Sequence, residues 1–312
     1  MKIVFMGTPD FAAGILKALR ESGYEITGVV TQPDRPKGRK KELVPSPVKE
    51  EALGIGCPIL QPLKIRQEEA VKAVLELDSD VIVVAAFGQI IPKEILEAPR
   101  YGCLNVHASL LPAYRGASPI QSALIDGCPE SGVTIMQMDE GLDTGDIISQ
   151  RAVAIAPDET GGSLFDKLAG TGAELLIETL KEIEAGTAKR TPQPRESSTP
   201  YCRMLKKEQG RIDWTKPADK IERLIRAMDP WPSAFTALDG KTLKIWKAHV
   251  ERAEETADPP ECGRVLRQDR KGIYVRCGQG ILCLEEVQME GRRRMAVSEF
   301  VKGYVIRNDR LG

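Results

Sequence analysis

The stretch KIVFMGTPDFAAGILKALRESGYEITGVVT, residues 2–31, decides the fold class of this chain. Both of its ends are short apolar runs rich in strand-forming side chains. Between these runs, Thr8 and Pro9 suit the start of a helix, and Ser22 and Gly23 suit its end. Apolar side chains recur at helical spacing between those limits, at Phe11, Ile15, Leu16 and Leu19. The stretch therefore predicts one βαβ unit.

The next part of the chain continues the same alternation. Residues 81–86 and 133–138 are apolar runs typical of buried strands, and residues 164–183 form a long amphipathic pattern. This order predicts an α/β fold with a Rossmann-like, mostly parallel open sheet, which binds ligands beyond the carboxyl ends of its strands. A dinucleotide fingerprint needs three glycines at the first turn, where this chain has only Gly7, so we expect no nicotinamide cofactor.

The last third of the chain has a different pattern. Residues 186–200 are rich in proline and poor in apolar side chains, which is typical of a linker. After them come a helix near 217–228 and short strands separated by turn residues, near 242–250, 263–268, 272–277 and 281–287. This spacing fits a small β-barrel, OB-like, or a sandwich. We therefore predict an N-terminal α/β domain at 1–185, a linker at 186–205 and a C-terminal β-barrel domain at 206–312.

Charge is divided unevenly along the 312 residues, although the net charge is only −1. Residues 1–202 carry −7, from 21 Lys and Arg against 28 Asp and Glu, and residues 203–312 carry +6, from 23 against 17. An acidic body with a basic arm fits a protein that meets a polyanion. Chance and solvated surfaces are the alternative explanation.

Cysteine usage and the N-terminus bear on the compartment. The seven cysteines are dispersed and form no C-x-x-C pair, which argues against a disulfide framework or a zinc site. The run MKIVFMGTPDF is too short for a signal peptide, and no apolar stretch reaches membrane-spanning length. We expect a cytoplasmic protein with no membrane contact.

Asn105 and His107 are the first candidates for chemistry. On a strand, residues two apart point to the same side, so both side chains can face one pocket. An amide N–H and an imidazole that converge on one point can stabilise an oxyanion, which indicates attack on a carbonyl. The alternative is a structural histidine bonded to backbone.

Two loops accompany this pair. The first loop is Ser109–Leu110–Leu111–Pro112, followed by Arg115 and Gly116. Backbone N–H groups of this loop can bind a planar heterocycle, with the leucines as an apolar wall. The alternative is a plain rigid turn. The second loop is MDEGLDTGD, residues 138–146, whose flanking glycines present Asp143. Its order of oxygen ligands does not match a calcium loop, so we expect Asp143 to orient His107 or accept a proton. Asp139 and Glu140 fit an acidic surface turn.

A basic loop, TQPDRPKGRKKE at residues 31–42, follows the second strand. It carries five Lys and Arg against two acids, and its prolines prevent a helix. Such a loop beside a pocket is a candidate for binding a phosphate backbone, and a solvated mobile loop is the alternative.

Four segments together resemble the methionyl-tRNA formyltransferase family: MGTPDFAA (6–13), TQPDRPKGRKKELVPSPVK (31–49), NVHASLLPAYRGASPIQ (105–121) and VTIMQMDEGLDTGDI (133–147). DPWP (229–232) and KIWKA (244–248) are also similar to the family's C-terminal domain. The SLLPxxRG core is shared by enzymes that take formyl from 10-formyltetrahydrofolate, so it indicates the donor. The basic loop is more selective, since in this family it enters the tRNA acceptor arm.

The resemblance implies roles for individual residues. Asn105, His107 and Asp143 match the catalytic positions, and no metal is required. The folate is expected against Phe87, Gln89, Ile90, Ser109, Leu110, Leu111 and Pro112. The tRNA is expected to contact Arg35, Lys37, Arg39, Lys40 and Lys41. The implied reaction formylates the α-amino group of methionyl-initiator tRNA, and we expect a monomer.

Three other functions stay open. A folate-dependent formyltransferase acting on a nucleotide-sugar amine would share the centre but would not need the basic loop and basic last domain. A glycinamide ribonucleotide formyltransferase would have no use for the last domain. A tRNA- or folate-binding protein without catalysis would tolerate changes at His107 and Asp143.

Overall fold

The computed structural model describes residues 1–37, 42–251, 261–306 and 310–312. The chain forms two compact units. Unit 1 comprises residues 1–119, 130–154 and 165–203, and unit 2 comprises residues 120–129, 155–164 and 204–312. The proline-rich segment that ends at residue 203 thus belongs to unit 1. Two short segments, residues 120–129 and 155–164, belong to unit 2 although they lie between parts of unit 1 in the sequence.

Strands and helices alternate along most of the first 184 residues, as the sequence predicts, with two exceptions: β2 to β4 follow one another directly, and so do β8 and β9. They are β1 (Lys2–Gly7), α1 (Asp10–Glu21), β2 (Glu25–Val30), β3 (Arg35–Lys37), β4 (Glu42–Val44), α2 (Pro47–Leu53), β5 (Ile59–Leu60), α3 (Glu68–Leu75), β6 (Val81–Ala85), α4 (Lys93–Leu96), β7 (Cys103–His107), α5 (Pro119–Asp126), β8 (Glu130–Gln137), β9 (Ile147–Ala154) and α6 (Gly161–Glu184).

Seven of these strands form one sheet in the order β5-β2-β1-β6-β7-β8-β9. The ladders joining β5, β2, β1, β6 and β7 are parallel, and those joining β7 to β8 and β8 to β9 are antiparallel. This confirms the mostly parallel α/β sheet. The chain moves outward from β1 to β2 and then returns to β6 on the other side, so the strand order reverses between β1 and β6. Crevices at such a reversal, beyond the carboxyl ends of the strands, are where these sheets bind ligands.

The start of α1 differs from the prediction in one detail. Pro9, not Thr8, is the N-cap residue, and no side chain caps the helix. The Thr8 hydroxyl instead donates to the carbonyl oxygen of Phe87 at 3.2 Å. Thr8 therefore joins the loops that follow β1 and β6, a long-range contact that helix-capping rules do not anticipate.

Unit 2 contains the remaining elements. They are a 3₁₀ turn (Lys207–Gly210), α7 (Ala218–Met228), β10 (Ala234–Leu238), β11 (Lys241–Glu251), β12 (Val265–Gln268), β13 (Ile273–Arg276), β14 (Ile281–Met289), β15 (Met295–Ala296) and α8 (Val297–Gly303). The strands pair antiparallel in the order β10-β11-β14-β13-β12, with β15 against β14.

The antiparallel β domain is thus confirmed, and helix α7 covers its core. Ile221, Ile225 and Met228 share one face of α7 and lie in the same buried cluster as Leu243 and Leu284 of the sheet. Among the described strands, no hydrogen-bonded ladder joins β10 to β12, so this sheet has two open edges. In the portion of the chain that the structure describes, no helix combines the length and the apolar content needed to cross a membrane.

Candidate functional site

Asn105, His107 and Asp143 meet at the carboxyl end of β7. Asn105 and His107 lie two residues apart on that strand, and the amide Nδ2 of Asn105 donates to Oδ1 of Asp143 at 3.4 Å. The other carboxylate oxygen, Oδ2, lies 3.8 Å from Nδ1 of His107. The structure therefore brings together the three residues that the sequence singled out, although Asp143 is 38 positions from Asn105 in the chain.

The ring of His107 is held on both sides. It is only 6% exposed, and its Nε2 lies 3.1 Å from the carbonyl oxygen of Tyr114. Because a carbonyl oxygen only accepts, Nε2 must carry the hydrogen in this contact. Nδ1 then faces Asp143 at 3.8 Å, which is too long for a hydrogen bond, and the two groups form an ion pair when the ring is doubly protonated. This arrangement fixes the imidazole and leaves a carboxylate beside it.

Asp143 is presented by a turn that needs its glycines. Its backbone has φ of +54°, in the left-handed region. A β-carbon on Gly145 would overlap the carbonyl group of Gln137, so no larger residue fits there. Asp139 accepts from the N–H of Gly141 at 3.0 Å and from the Thr144 hydroxyl at 2.8 Å. The exposed acidic turn thus also shapes the loop that carries Asp143.

A backbone group completes the carboxylate's surroundings. The N–H of Gly116 donates to Oδ2 of Asp143 at 2.8 Å. Gly116 has φ of 119°, and a β-carbon there would overlap the Cys202 carbonyl. Sequence reasoning placed Gly116 after the Ser109–Pro112 loop but missed this contact, which a glycine's freedom at positive φ makes possible.

The Ser109–Pro112 loop is anchored from beneath by β8. Ser109 is fully buried, and its carbonyl oxygen accepts from the Thr134 hydroxyl at 2.6 Å. The same hydroxyl accepts from the N–H of Leu111 at 3.1 Å. Leu111 is buried and Leu110 and Pro112 are half-buried. The loop is therefore a rigid, mainly apolar wall next to the His107 strand.

The loop after β6 lies on the neighbouring strand end. Phe87 is buried, and its carbonyl oxygen accepts from Gln32 Nε2 at 3.1 Å. Gln89 uses its side-chain amide on backbone, accepting from Ile65 N at 2.7 Å and donating to Pro62 O at 3.1 Å. Ile90 is 52% exposed. Of the three residues predicted here, Ile90 presents its side chain to solvent, while Phe87 and Gln89 shape the loop.

The basic loop contains a hairpin, β3 against β4. Arg35 is exposed on β3 and Lys37 ends that strand, whereas Arg39, Lys40 and Lys41 lie outside the described residues. The base of the loop is tied down by Asp34, which accepts from Lys49 Nζ at 2.6 Å and from Gln61 Nε2 at 2.7 Å. The bond from Lys49 is the main reason that the pKa of Asp34 lies below its ordinary value of 3.8.

The segment predicted as a linker reaches the site. The guanidinium of Arg115, a buried side chain, donates to the side-chain oxygen of Gln193 and to the carbonyl oxygens of Pro194 and Arg195. Composition gave no signal for these contacts. Within the described ranges, no cluster of three or more His, Cys, Asp or Glu side chains is arranged to hold a metal ion.

Comparisons with known proteins agree along the chain. The formyl transferase family model matches residues 1–180, and the model of the formyl transferase C-terminal domain matches residues 204–305. A methionyl-tRNA formyltransferase of Agathobacter rectalis is 53% identical over 303 residues, which cover 97% of this chain and 96% of the relative.

Two solved structures share the fold. HypX from Aquifex aeolicus, in complex with tetrahydrofolic acid, matches with a TM-score of 0.65 and 20% identity over 97% of this chain, which spans about half (47%) of that protein's length. An N-formyltransferase from Helicobacter canadensis, in complex with folinic acid and dTDP-3-aminofucose, matches with a TM-score of 0.67 and 18% identity, covering 91% of this chain and 99% of that one. The sequence identity over nearly the full length decides the family: this chain belongs to the methionyl-tRNA formyltransferases.

Proposed function

We propose that this protein transfers the formyl group of 10-formyltetrahydrofolate to the α-amino group of methionyl-initiator tRNA, giving formylmethionyl-tRNA for translation initiation. The observation that carries the proposal is the group of Asn105, His107 and Asp143 at the end of β7, in a chain 53% identical to a methionyl-tRNA formyltransferase. The basic segment at 31–42 and the positive last third of the chain support a polyanionic substrate.

The chemistry follows from the three side chains. The neutral amine attacks the formyl carbon, a new C–N bond forms, and the former carbonyl oxygen becomes an oxyanion. An asparagine amide has two N–H donors, so Asn105 can keep its bond to Asp143 and present the other hydrogen to the oxyanion. His107 adds a second donor when its Nε2–H turns from the Tyr114 carbonyl oxygen to the oxyanion, and Asp143 holds the imidazole and takes up the proton that the amine releases. When the intermediate collapses, the bond to N10 breaks, and N10 gains the proton that Asp143 had taken up, which restores the carboxylate.

No strong base is needed for this attack. An α-amino group has a pKa of about 8, so a sizeable neutral fraction is present near neutral pH. The centre then has to stabilise the oxyanion, and one well-placed donor contributes roughly 10²–10³-fold to kcat in other enzymes. No metal takes part in the proposed reaction.

The folate site is proposed at the ends of β6 and β7. The apolar wall of Leu110, Leu111 and Pro112 would pack against the pterin, and Ser109 holds that wall in place. On the β6 side, Ile90 offers an exposed apolar side chain, and Phe87 and Gln89 fix the loop backbone. Support comes from the fold, since the solved HypX structure contains tetrahydrofolic acid.

The tRNA is proposed to contact the basic loop through Arg35, Lys37, Arg39, Lys40 and Lys41. We further propose a division into a catalytic domain at 1–185, a linker at 186–205 that is bound to that domain by hydrogen bonds, and a tRNA-binding domain at 206–312. Aminoacylated tRNA is used in translation, so we propose that the protein acts in the cytoplasm. The reaction requires no second subunit, so we propose a monomer.

Formylation of a nucleotide-sugar amine is the second candidate. The Helicobacter canadensis structure, which contains dTDP-3-aminofucose, supports this candidate, because the two proteins share a fold over 91% of this chain. Sequence identity favours the tRNA substrate, because this chain is 18% identical to the sugar enzyme and 53% identical to the methionyl-tRNA formyltransferase of Agathobacter rectalis.

The test combines purified protein, 10-formyltetrahydrofolate and charged initiator or elongator methionyl-tRNA, scored for formylmethionine. We expect His107→Ala and Asp143→Asn each to lower the chemical rate at least about 100-fold while tRNA binding persists. His249→Ala is the matched control, because His249 is the other histidine of the chain and is exposed in unit 2. Formylation of an amino sugar nucleotide with methionyl-tRNA untouched would overturn the acceptor, and full turnover by both variants would overturn the catalytic assignment.

A further inference from the structure

The segment at residues 191–203, here called the strap, is bound to unit 1 along its length. Thr191 pairs with Ile147 through two backbone hydrogen bonds of 2.9 and 2.8 Å. At its other end, Cys202 N donates to Arg115 O at 2.8 Å. The hydroxyl of Ser197 donates to the carbonyl oxygen of Pro112 at 2.7 Å. The strap is thus fastened to the start of β9 and to the loop that follows His107.

Gln193 is the strap residue that reaches the Asp143 turn. Its Nε2 donates to the backbone carbonyl oxygens of Asp143, at 3.1 Å, and Gly145, at 2.6 Å. Its Oε1 accepts from Arg115 through Nε at 3.2 Å and Nη2 at 2.8 Å. All four contacts lie inside unit 1.

The partners fix which way the amide points. A guanidinium has only donors and a carbonyl oxygen only accepts, so Oε1 must face Arg115 and Nε2 must face the turn. Arg115 is in turn a buried side chain from the loop that follows His107. Gln193 therefore connects the His107 loop to the Asp143 turn through one rigid amide.

The Asp143 turn needs such support. A non-glycine residue at φ of +54° is in a sparsely populated backbone region, which persists when surrounding contacts hold it. The carboxylate of Asp143 is 3.8 Å from His107 Nδ1 and 3.4 Å from Asn105 Nδ2, so a small backbone shift changes both contacts.

We propose that Gln193 is a positioning residue for the formyl transfer: its amide holds the Asp143 turn so that the carboxylate faces His107 and Asn105. This inference rests on the proposed function. Gln193 does not touch the reacting atoms and acts through Asp143.

The test uses Gln193→Glu and Gln193→Met. The glutamate keeps an oxygen for Arg115 but turns a second, charged oxygen toward the two carbonyls, and the methionine keeps the length and loses every hydrogen bond. Ser198→Glu is the control, since it adds the same charge at an exposed position of the strap. We expect both Gln193 variants to lower kcat about 10–100-fold with unchanged KM for folate and tRNA, as displaced catalytic groups do elsewhere, and the control to keep its kcat.

Two further readouts separate positioning from general support. In a double-variant cycle, Gln193→Met on an Asp143→Ala background should cause no further loss of rate, because the contact it serves is already absent. In spectra of protein labelled with ¹⁵N-glycine, the Gly116 amide reports its bond to Asp143 Oδ2. We expect that signal to move in Gln193→Met toward its position in Asp143→Ala, and to stay in place in Ser198→Glu.

Each outcome decides the matter. Unchanged kcat in both Gln193 variants, an unmoved Gly116 signal, or rate losses that multiply in the double variant would overturn the positioning role. If Gln193→Glu fails to fold, Gln193→Met carries the same test. A wild-type protein that formylates no methionyl-tRNA would instead overturn the proposed function, while the Gly116 signal would still test the link between Gln193 and Asp143.

Discussion

Thr134→Val removes one hydroxyl from beneath the Ser109–Pro112 loop. Thr134 is fully buried on β8, and its hydroxyl donates to Ser109 O at 2.6 Å and accepts from Leu111 N at 3.1 Å. Gln150 Nε2 also donates to it at 2.9 Å, but that amide keeps its second bond, to Leu111 O at 2.8 Å. Valine has nearly the same shape, so the change isolates the hydrogen bonds from the packing.

The magnitude follows from what is left unpaired. Two backbone groups lose the hydroxyl: the N–H of Leu111, which is 3% exposed, and the carbonyl of Ser109, which is fully buried. Each buried unsatisfied group costs roughly 1–3 kcal/mol, so the free energy of unfolding should fall by about 3 kcal/mol. For a unit of this size, that corresponds to a decrease in Tm of roughly 6–12 °C.

Thermal unfolding followed by far-UV circular dichroism measures this change, with Thr171→Val as the matched control. The Thr171 hydroxyl donates to Lys167 O at 3.0 Å in an exposed contact on α6, so its loss should change stability by less than about 0.5 kcal/mol. A loosened loop should also raise KM for the folate and leave KM for tRNA unchanged. If Thr134→Val has the Tm of Thr171→Val, the loop does not depend on this hydroxyl and the reasoning fails.

Two further predictions concern the basic loop and its base. Replacing Arg39, Lys40 and Lys41 with alanine should weaken tRNA binding and reduce the slope of log affinity against log salt concentration by roughly 0.7–0.9 per lost phosphate contact. Filter binding at several salt concentrations measures this slope. An unchanged slope would show that the loop does not contact phosphates. Because Lys49 lowers the pKa of Asp34 from 3.8, their contact contributes stability above that value and loses it as the pH falls through the lowered pKa. Asp34→Asn should therefore remove one acid-dependent contribution to unfolding below about pH 4, and identical pH profiles for both proteins would contradict it.

The sequence predicts the fold well where the pattern is local. The period of the apolar residues in α1 and the continuous apolar run of β6 gave elements that differ from the observed bounds by about one residue. That the loop at 138–146 presents Asp143 was also foreseeable, because Gly141 and Gly145 flank it. Such features depend on neighbouring residues, which a single sequence displays directly.

The missed features depend on residues far apart. The strap has the composition of a linker, and its hydrogen bonds to Arg115 span about 80 positions. Local rules assigned Thr8 to a helix cap, whereas its partner, Phe87, lies 79 positions away. The β3–β4 hairpin inside the basic loop was not predicted either, since Pro36 occupies a place that disfavours a regular strand.

The strap has a practical consequence for exchanging domains between members of the family. Residues 181–203 lie between the two family-model matches, so a chimera joined anywhere in that interval would leave both matched domains intact. A junction at residue 185 would replace Gln193 and Cys202 with another protein's residues, and unit 1 would receive a foreign partner for its Asp143 turn. A junction after Arg203 keeps each strap with the Asp143 turn of its own protein.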